Sequence, residues 1–292
     1  MPDHIRVGVT ILPDRPWAQA ERDWRLAEDL GFDHAWTYDH MSWEPMRGSP
    51  WFAAIPTLVA AALNTTRIGL GTLVSSPNNH HPAQFIREIL ALHDISAGRF
   101  LLGVGAGGNL DAELTHAGIR LGERTRRFGE FVDFLDRLLR ENPVTVDGDW
   151  YASAGAGSLP GPVNVGGTPG VPLIVAANGP RAIRLAVERG DGWLTYAGRA
   201  DDGPAWWRLV AEVVARAEEE IERQGRTRAL ARYLSLDSCP DYAFAGVDAF
   251  EHAVGRAADL GFTDVVCPWP RSSKPYAGDE AIVGSIMGRL SA

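Results

Sequence analysis

Three short stretches put chemically capable residues where a strand gives way to a loop. In "TYDHM" (37–41) Asp39 stands beside His40. An imidazole at a strand end can bind, donate or accept a proton near neutral pH, although a hydrogen-bonded structural histidine would read the same way. In "GVGAGGN" (103–109) an apolar run breaks into Gly103, Gly105, Gly107 and Gly108. Glycine weakens a strand interior, so a cluster at its end implies a backbone that comes close to something. In "AANGPR" (176–181) a small, turn-like segment runs straight into a helical pattern. Free N–H groups at such turns, together with the helix dipole, attract phosphate. That makes Ala106, Gly107, Gly108 and Asn109 one candidate anion site and Ala176, Ala177, Asn178 and Gly179 another. Plain turns are the competing reading for both.

Other strand ends offer less. His80 and His81 are adjacent, which does not let both converge easily on one ion, and no third metal ligand is evident. His81 precedes Pro82 at a helix start, so capping is expected there instead. Asp237, Ser238 and Arg271 stand at the ends of the seventh and eighth runs. Trp43, Trp51, Phe52, Tyr196 and Trp269 could wall an apolar pocket or simply fill a core. The segment "GVGAGG" fits the dinucleotide-binding glycine spacing loosely. It falls on the fourth strand of a series rather than in an early βαβ unit, which argues against that reading.

The elements that must hold these residues recur regularly. Eight β-type runs stand out, at 5–12, 33–40, 67–76, 99–106, 172–178, 192–198, 231–238 and 263–270. Several are apolar throughout, as strands covered on both faces are. Helical patterns lie between them. In 121–141 the residues Phe128, Phe131, Val132, Leu135, Leu138 and Leu139 share one face at helical spacing. Segments 17–31 and 247–260 each run into a glycine stop, "DLGF". Most strand-to-strand intervals are about 30 residues, the length of a βαβ unit. Eight such units imply a (β/α)8 TIM barrel, with a doubly wound open sheet as the alternative. The interval after the fourth unit is longer. Its Gly/Pro-rich stretch, 142–172, reads as a loop insertion with a short hairpin around "VDGDWY", inside one domain spanning 1–292.

Composition narrows the setting. The 292 residues are long enough for one large domain. The net charge of −9 argues against nucleic acid as a general partner. No apolar run is long enough to span a bilayer, and "MPDHIRVGVTILP" lacks the features of a signal peptide. The only cysteines, Cys239 and Cys267, give neither a metal motif nor a disulfide framework. A cytoplasmic protein is therefore expected.

Three blocks carry a resemblance. They are "AEDLGFDHAWTYDHM" (27–41), "TRIGLGTLVSSPNNHHPAQFIREILALHDISAGRFLLGVGAGG" (66–108) and "PLIVAANGPRAIRLAVERGDGWL" (172–194). With them in order the chain resembles the bacterial luciferase-like superfamily of flavin and deazaflavin oxidoreductases. The resemblance implies a (β/α)8 barrel with an insertion after the fourth unit. It implies a tricyclic ring in the barrel mouth, resting on Thr72, Leu73 and Val74, with a non-proline cis peptide between Leu73 and Val74. The cofactor's phosphate would sit at the two glycine turns. Coenzyme F420 and FMN are the two cofactors the resemblance allows. The Asp39–His40 pair looks like the F420 branch, in which both contact the deazaflavin and His40 lies beside the reacting carbon.

The implied activity is hydride transfer between F420 and a small organic substrate. The alternative is an FMN-dependent monooxygenase using O2, with a flavin reductase as partner. A homo-oligomer, a dimer, is expected. F420-dependent sugar-phosphate dehydrogenases carry an acidic residue where this chain has Gly108. That departure argues against a sugar phosphate and leaves the general acid unassigned, with Arg271 and Asp237 as candidates. A (β/α)8 isomerase or aldolase and a non-catalytic flavin-binding protein stay open. The only late lysine, Lys274, lies in a loop, which counts against a Schiff-base aldolase.

Overall fold

The computed structural model describes residues 5–115, 121–157 and 170–290. Eight parallel strands close into a barrel: β1 (Arg6–Thr10), β2 (His34–Thr37), β3 (Gly69–Thr72), β4 (Phe100–Val104), β7 (Leu173–Ala176), β8 (Gly192–Thr195), β9 (Ala231–Ser235) and β10 (Asp264–Pro268). They follow one another around the barrel in chain order, and β10 closes it against β1 from Arg6↔Asp264 to Thr10↔Pro268. The open-sheet alternative is therefore excluded. After β4 come α4 (Asn109–Thr115) and α5 (Leu121–Arg140), then an antiparallel hairpin, β5 (Val144–Asp147) and β6 (Ala152–Ala156). Residues 158–169 of the expected insertion lie outside the described residues.

Alternation along the strands builds two apolar layers. Trp36, Ile174, Leu194, Tyr233 and Val266 point inward and pack together inside the barrel. Their neighbours Ala35, Leu173, Val175, Trp193, Leu234, Val265 and Cys267 point outward against the helices. The outer layer includes α1 (Trp17–Asp29), α2 (Ala54–Asn64), α3 (Pro82–Ile95) and α6 (Pro180–Arg189). It continues through α7 (Gly203–Gln224), α8 (Val247–Asp259) and α9 (Glu280–Leu290). The face read in α5 is buried at Phe128, Phe131, Val132, Leu135 and Leu138, with Phe134 added. α1 and α8 give way to Gly31 and Gly261, whose φ of +89° and +79° a side-chain-bearing residue adopts at a cost.

The floor of the barrel is polar and paired. Asp264 accepts from His34 Nε2 at 2.9 Å and from Arg6 at 3.0 Å, while Trp36 Nε1 donates to His34 Nδ1 at 2.7 Å. Because Nδ1 accepts, the His34 proton must lie on Nε2, facing the carboxylate. The carboxyl of Asp264 is held below its ordinary range. Burial alone would raise it, and the His34 and Arg6 contacts outweigh that.

Strand packing also explains Gly103 and Gly105. A Cβ on Gly103 would stand 2.0 Å from the Thr72 carbonyl oxygen, and one on Gly105 2.5 Å from Val74 Cγ2. Both are consumed by the close approach of β4 to the chain after β3. Gly103→Ala is expected to cost about 1–3 kcal/mol or more by overpacking against backbone. Gly255→Ala, in α8 with nothing near its Cβ position, should instead stabilise by about 0.5–1 kcal/mol. Urea denaturation of both variants checks the contrast. Equal effects at the two positions would contradict it.

Candidate functional site at the barrel mouth

The C-terminal strand ends surround a cavity of about 950 Å³. Its apolar side comprises Leu73, Val74, Ala106, Ala176, Ala177 and Leu194. Its polar side includes Tyr38, His40, Asn109, Asp111, Asn178, Ser235 and Asp237. The Leu73–Val74 peptide is cis, as the resemblance implied. Beyond it Ser75 pairs with Val104, so the chain after β3 rejoins β4 and leaves Leu73 and Val74 on the cavity wall.

Most of the residues expected from sequence come together here. His40, Leu73, Val74, Ala106, Gly107, Gly108, Asn109, Ala176, Ala177 and Asn178 all line the cavity. Asp39, Thr72 and Gly179 are not among its lining residues. Past β2 the side chains still alternate, so Tyr38 and His40 face the cavity and Asp39 turns into the wall. There Asp39 accepts from Ser75 Oγ at 2.5 Å and His80 Nε2 at 2.6 Å, while Asn79 donates to its carbonyl. Burial alone would raise the Asp39 carboxyl, but the His80 and Ser75 hydrogen bonds hold it below its ordinary range. Thr72 is fully buried and donates to the Gly103 carbonyl at 2.8 Å. Both residues brace the wall where direct cofactor contact was expected.

At three single residues the structure supplies a local reason. Gly107 has φ +84°, and a Cβ there would stand 2.3 Å from Asn78 Nδ2. The turn itself requires that glycine, whatever binds beside it. Gly179 is the N-cap of α6, with open space where its Cβ would be. His81 does sit at the N-cap of α3, yet its side chain makes no capping hydrogen bond and packs edge-on against Tyr151.

Of the aromatic candidates, Trp43 and Tyr196 line the cavity, and Trp51 packs behind Trp43 with ring centroids 6.1 Å apart. Trp269 is buried against Phe32 in the outer core, and Phe52 is exposed. Arg271 is tied to Asp14 at 2.7 Å and does not line the cavity. Among the described residues no three His, Cys, Asp or Glu side chains gather as a metal site. No described helix is long and apolar enough to cross a membrane.

Sequence reasoning missed two residues. The first is Asp111, in the first turn of α4 and almost wholly buried. Its Oδ2 lies 2.6 Å from His40 Nδ1, and its Oδ1 accepts from the Met41 amide at 2.9 Å. A carboxylate only accepts, so the neutral imidazole carries its proton on Nδ1 and Nε2 is left as the acceptor. Among the described residues Nε2 has no partner. A Cβ on Gly108 would stand 3.5 Å from Asp111 Oδ2 and 3.8 Å from His40 Cε1. The carboxylate beside His40 thus comes from one helical turn further along the chain. The only sequence signal was an acid early in a helix. The second is Arg124, on α5, which donates to the Gly107 carbonyl and to Asn109 Oδ1. It brings a cation to the glycine turn, and its Nε is buried without a partner.

Asp111→Ala should remove two hydrogen bonds to a charged acceptor and cost about 1.5–3 kcal/mol each at most. In ¹⁵N NMR the His40 ring should then shift from the Nδ1–H toward the Nε2–H tautomer. An unchanged tautomer would show that Asp111 does not orient the ring.

Comparison with known proteins agrees with this geometry. The family model described as luciferase-like monooxygenase matches residues 3–263. The chain is 32% identical over 199 residues to a 5,10-methylenetetrahydromethanopterin reductase of Archaeoglobus fulgidus, covering 68% of this chain and 55% of that protein. It is 38% identical over 178 residues to an F420-dependent glucose-6-phosphate dehydrogenase of Beutenbergia cavernae, covering 60% of this chain and 51% of that one. These matches span about half the length of those relatives. A solved F420-dependent secondary alcohol dehydrogenase, in complex with an F420-acetone adduct, shares the fold with a TM-score of 0.79 at 17% identity, covering 98% of both chains. By its barrel, its three sequence blocks and a family match over most of its length, the chain belongs to the luciferase-like monooxygenase family.

Proposed function

We propose that this protein is a coenzyme F420-dependent oxidoreductase acting on a small organic substrate. The observation that carries the reading is His40 at the cavity, its Nδ1 fixed on Asp111 and its Nε2 unpaired. Bound there, the deazaflavin would supply or accept hydride. The residues present fit such a group. Leu73, Val74, Ala106 and Ala176 give an apolar surface for a flat ring. At one end, Ile183 makes the first helical bond of α6 back to Gly179, so the amides of Arg181 and Ala182 remain for an anion. Arg124 adds positive charge at the neighbouring turn.

Nε2 of His40 would accept a hydrogen bond or a proton at the reacting edge of the bound ring. Asp111 keeps that nitrogen available by occupying the other one. Tyr38 meets the His40 ring edge-on at 5.8 Å, and Trp43 packs edge-on against Tyr38 at 5.2 Å. This aromatic surface suits an uncharged substrate better than a sugar phosphate. An FMN-dependent monooxygenase using O2 is the second reading, favoured by the description of the matching family.

Two experiments test the reading. Cofactor-free protein titrated calorimetrically with F420 and with FMN should prefer F420 by at least about tenfold, and stopped-flow hydride transfer should fall about 10²–10⁴-fold in His40→Ala. Tight FMN binding with oxygen consumption and no response to F420 would move the assignment to the monooxygenase. Separately, Gly179→Asp should fold normally, because φ −94° and ψ 158° suit any residue and aspartate is a good N-cap. It should still weaken F420 binding at least about tenfold by placing a carboxylate at the anion site. Undiminished affinity would show that the anionic tail binds elsewhere.

A further inference from the structure

The cavity holds a second polar cluster that the His40–Asp111 pair does not use. Ser235, the last residue of β9, and Asp237 lie two positions apart, so they share a face, and both line the cavity. Ser235 is 2% exposed, and its hydroxyl has no hydrogen-bond partner. Asp237 Oδ1 is likewise buried without a partner. The other oxygen, Oδ2, accepts from the Tyr38 hydroxyl at 2.9 Å. With its proton committed there, Tyr38 accepts in turn from the Tyr276 hydroxyl at 3.3 Å. Tyr276 is only partly buried, so a file of hydroxyls leads from the protein surface to a carboxyl at the cavity. Tyr38 is also the ring that meets His40, which sets Asp237 and His40 around one side chain.

Two orphaned polar groups on one cavity wall need a polar partner, since leaving them unpaired costs about 1–3 kcal/mol apiece. We propose that Asp237 is the proton donor to the substrate, acting from Oδ1 on a carbonyl oxygen that Ser235 also hydrogen-bonds, with Tyr38 and Tyr276 restoring its proton. The proposal rests on the oxidoreductase reading above. In the reducing direction the C=O carbon gains hydride from the reduced deazaflavin, which is oxidised by two electrons. The π-bond pair moves onto oxygen, which takes the proton from Asp237, and C=O becomes CH–OH. The remaining carboxylate regains a proton at Oδ2 from Tyr38, which is resupplied by Tyr276 and then water, and a half-turn of the carboxyl group returns the protonated oxygen to the substrate side. Oxidation of the alcohol is the reverse. The groups that bear on the carboxyl are compatible with this role. Burial raises it above its ordinary range, and the hydrogen bond from the Tyr38 hydroxyl opposes that only in part. Tyr276 is raised by its own burial and by the charge of Asp237.

The test begins on protein without cofactor. With ¹³C-carboxyl-labelled aspartate, one resonance absent from Asp237→Asn should titrate above the ordinary carboxylate range. In Tyr38→Phe its midpoint should rise further, because the donor that favours the ionised form is gone. A midpoint at or below the ordinary range overturns the proposal. In turnover of a ketone with reduced F420, Asp237→Asn should lower kcat by at least about tenfold and remove the alkaline limb of its pH profile, with F420 affinity within about twofold of wild type. An unchanged kcat and profile overturns it as well. The NMR titration involves no deazaflavin, so a failure here is distinct from a failure to bind F420. Tyr38→Phe, which keeps the ring, provides a second variant should Asp237→Asn fold poorly.

Discussion

The seam between β3 and β4 is the contact on which the barrel mouth depends. Gly103 lets the Thr72 carbonyl come so close that a single added carbon would stand 2.0 Å from it. At that distance the Gly103 carbonyl accepts from both Thr72 Oγ1 at 2.8 Å and the Ser75 amide at 2.9 Å, and the Gly105 amide returns a bond to Ser75 at 2.8 Å. These bonds tie the chain on both sides of Leu73 and Val74, so two apolar side chains reach the cavity without loosening the sheet. The same seam delivers the Ser75 hydroxyl to Asp39, which secures the strand end that carries Tyr38 and His40.

Around that seam three aspartates occupy three different environments. Asp39 lies in the wall, where two donors keep it ionised in spite of burial. Asp111 is paired with His40 and fixes which imidazole nitrogen carries the proton. Asp237 has one phenolic donor and one orphaned oxygen, and burial favours its neutral form. The surroundings thus push Asp39 and Asp237 in opposite directions, although both are buried carboxyls of one barrel mouth. The division follows from strand alternation and from one helix that begins immediately after a glycine turn.

The barrel was legible in the sequence because its signals are local and repeated. Each of the eight β-type runs became a barrel strand, with α1 and α8 giving way to their glycines. The strands themselves proved shorter than those runs, four or five residues each, and the excess at their C-terminal ends carries the site. His40 and the glycine turns were legible for the same reason. What escaped were relations that depend on direction and distance. A sequence shows Asp39 beside His40, but only the fold shows them facing opposite ways. It does not show that Asp111 turns back onto His40, or that Arg124 reaches the Gly107 carbonyl across the intervening chain. Gly107 was visible as a special position, yet its cause, a left-handed turn packed on Asn78, lies in the neighbouring loop.

The proposed function requires that one cavity hold a flat deazaflavin against Leu73 and Val74, with its reacting edge toward His40 and its anionic tail toward α6. A crystal structure of the protein with oxidised F420 tests this most directly. The ring is expected on the Leu73–Val74 wall, with a polar ring atom within hydrogen-bond reach of His40 Nε2 and the phosphate on the amides of Arg181 and Ala182. A ring bound away from His40, or a tail leaving the cavity by another route, would contradict it.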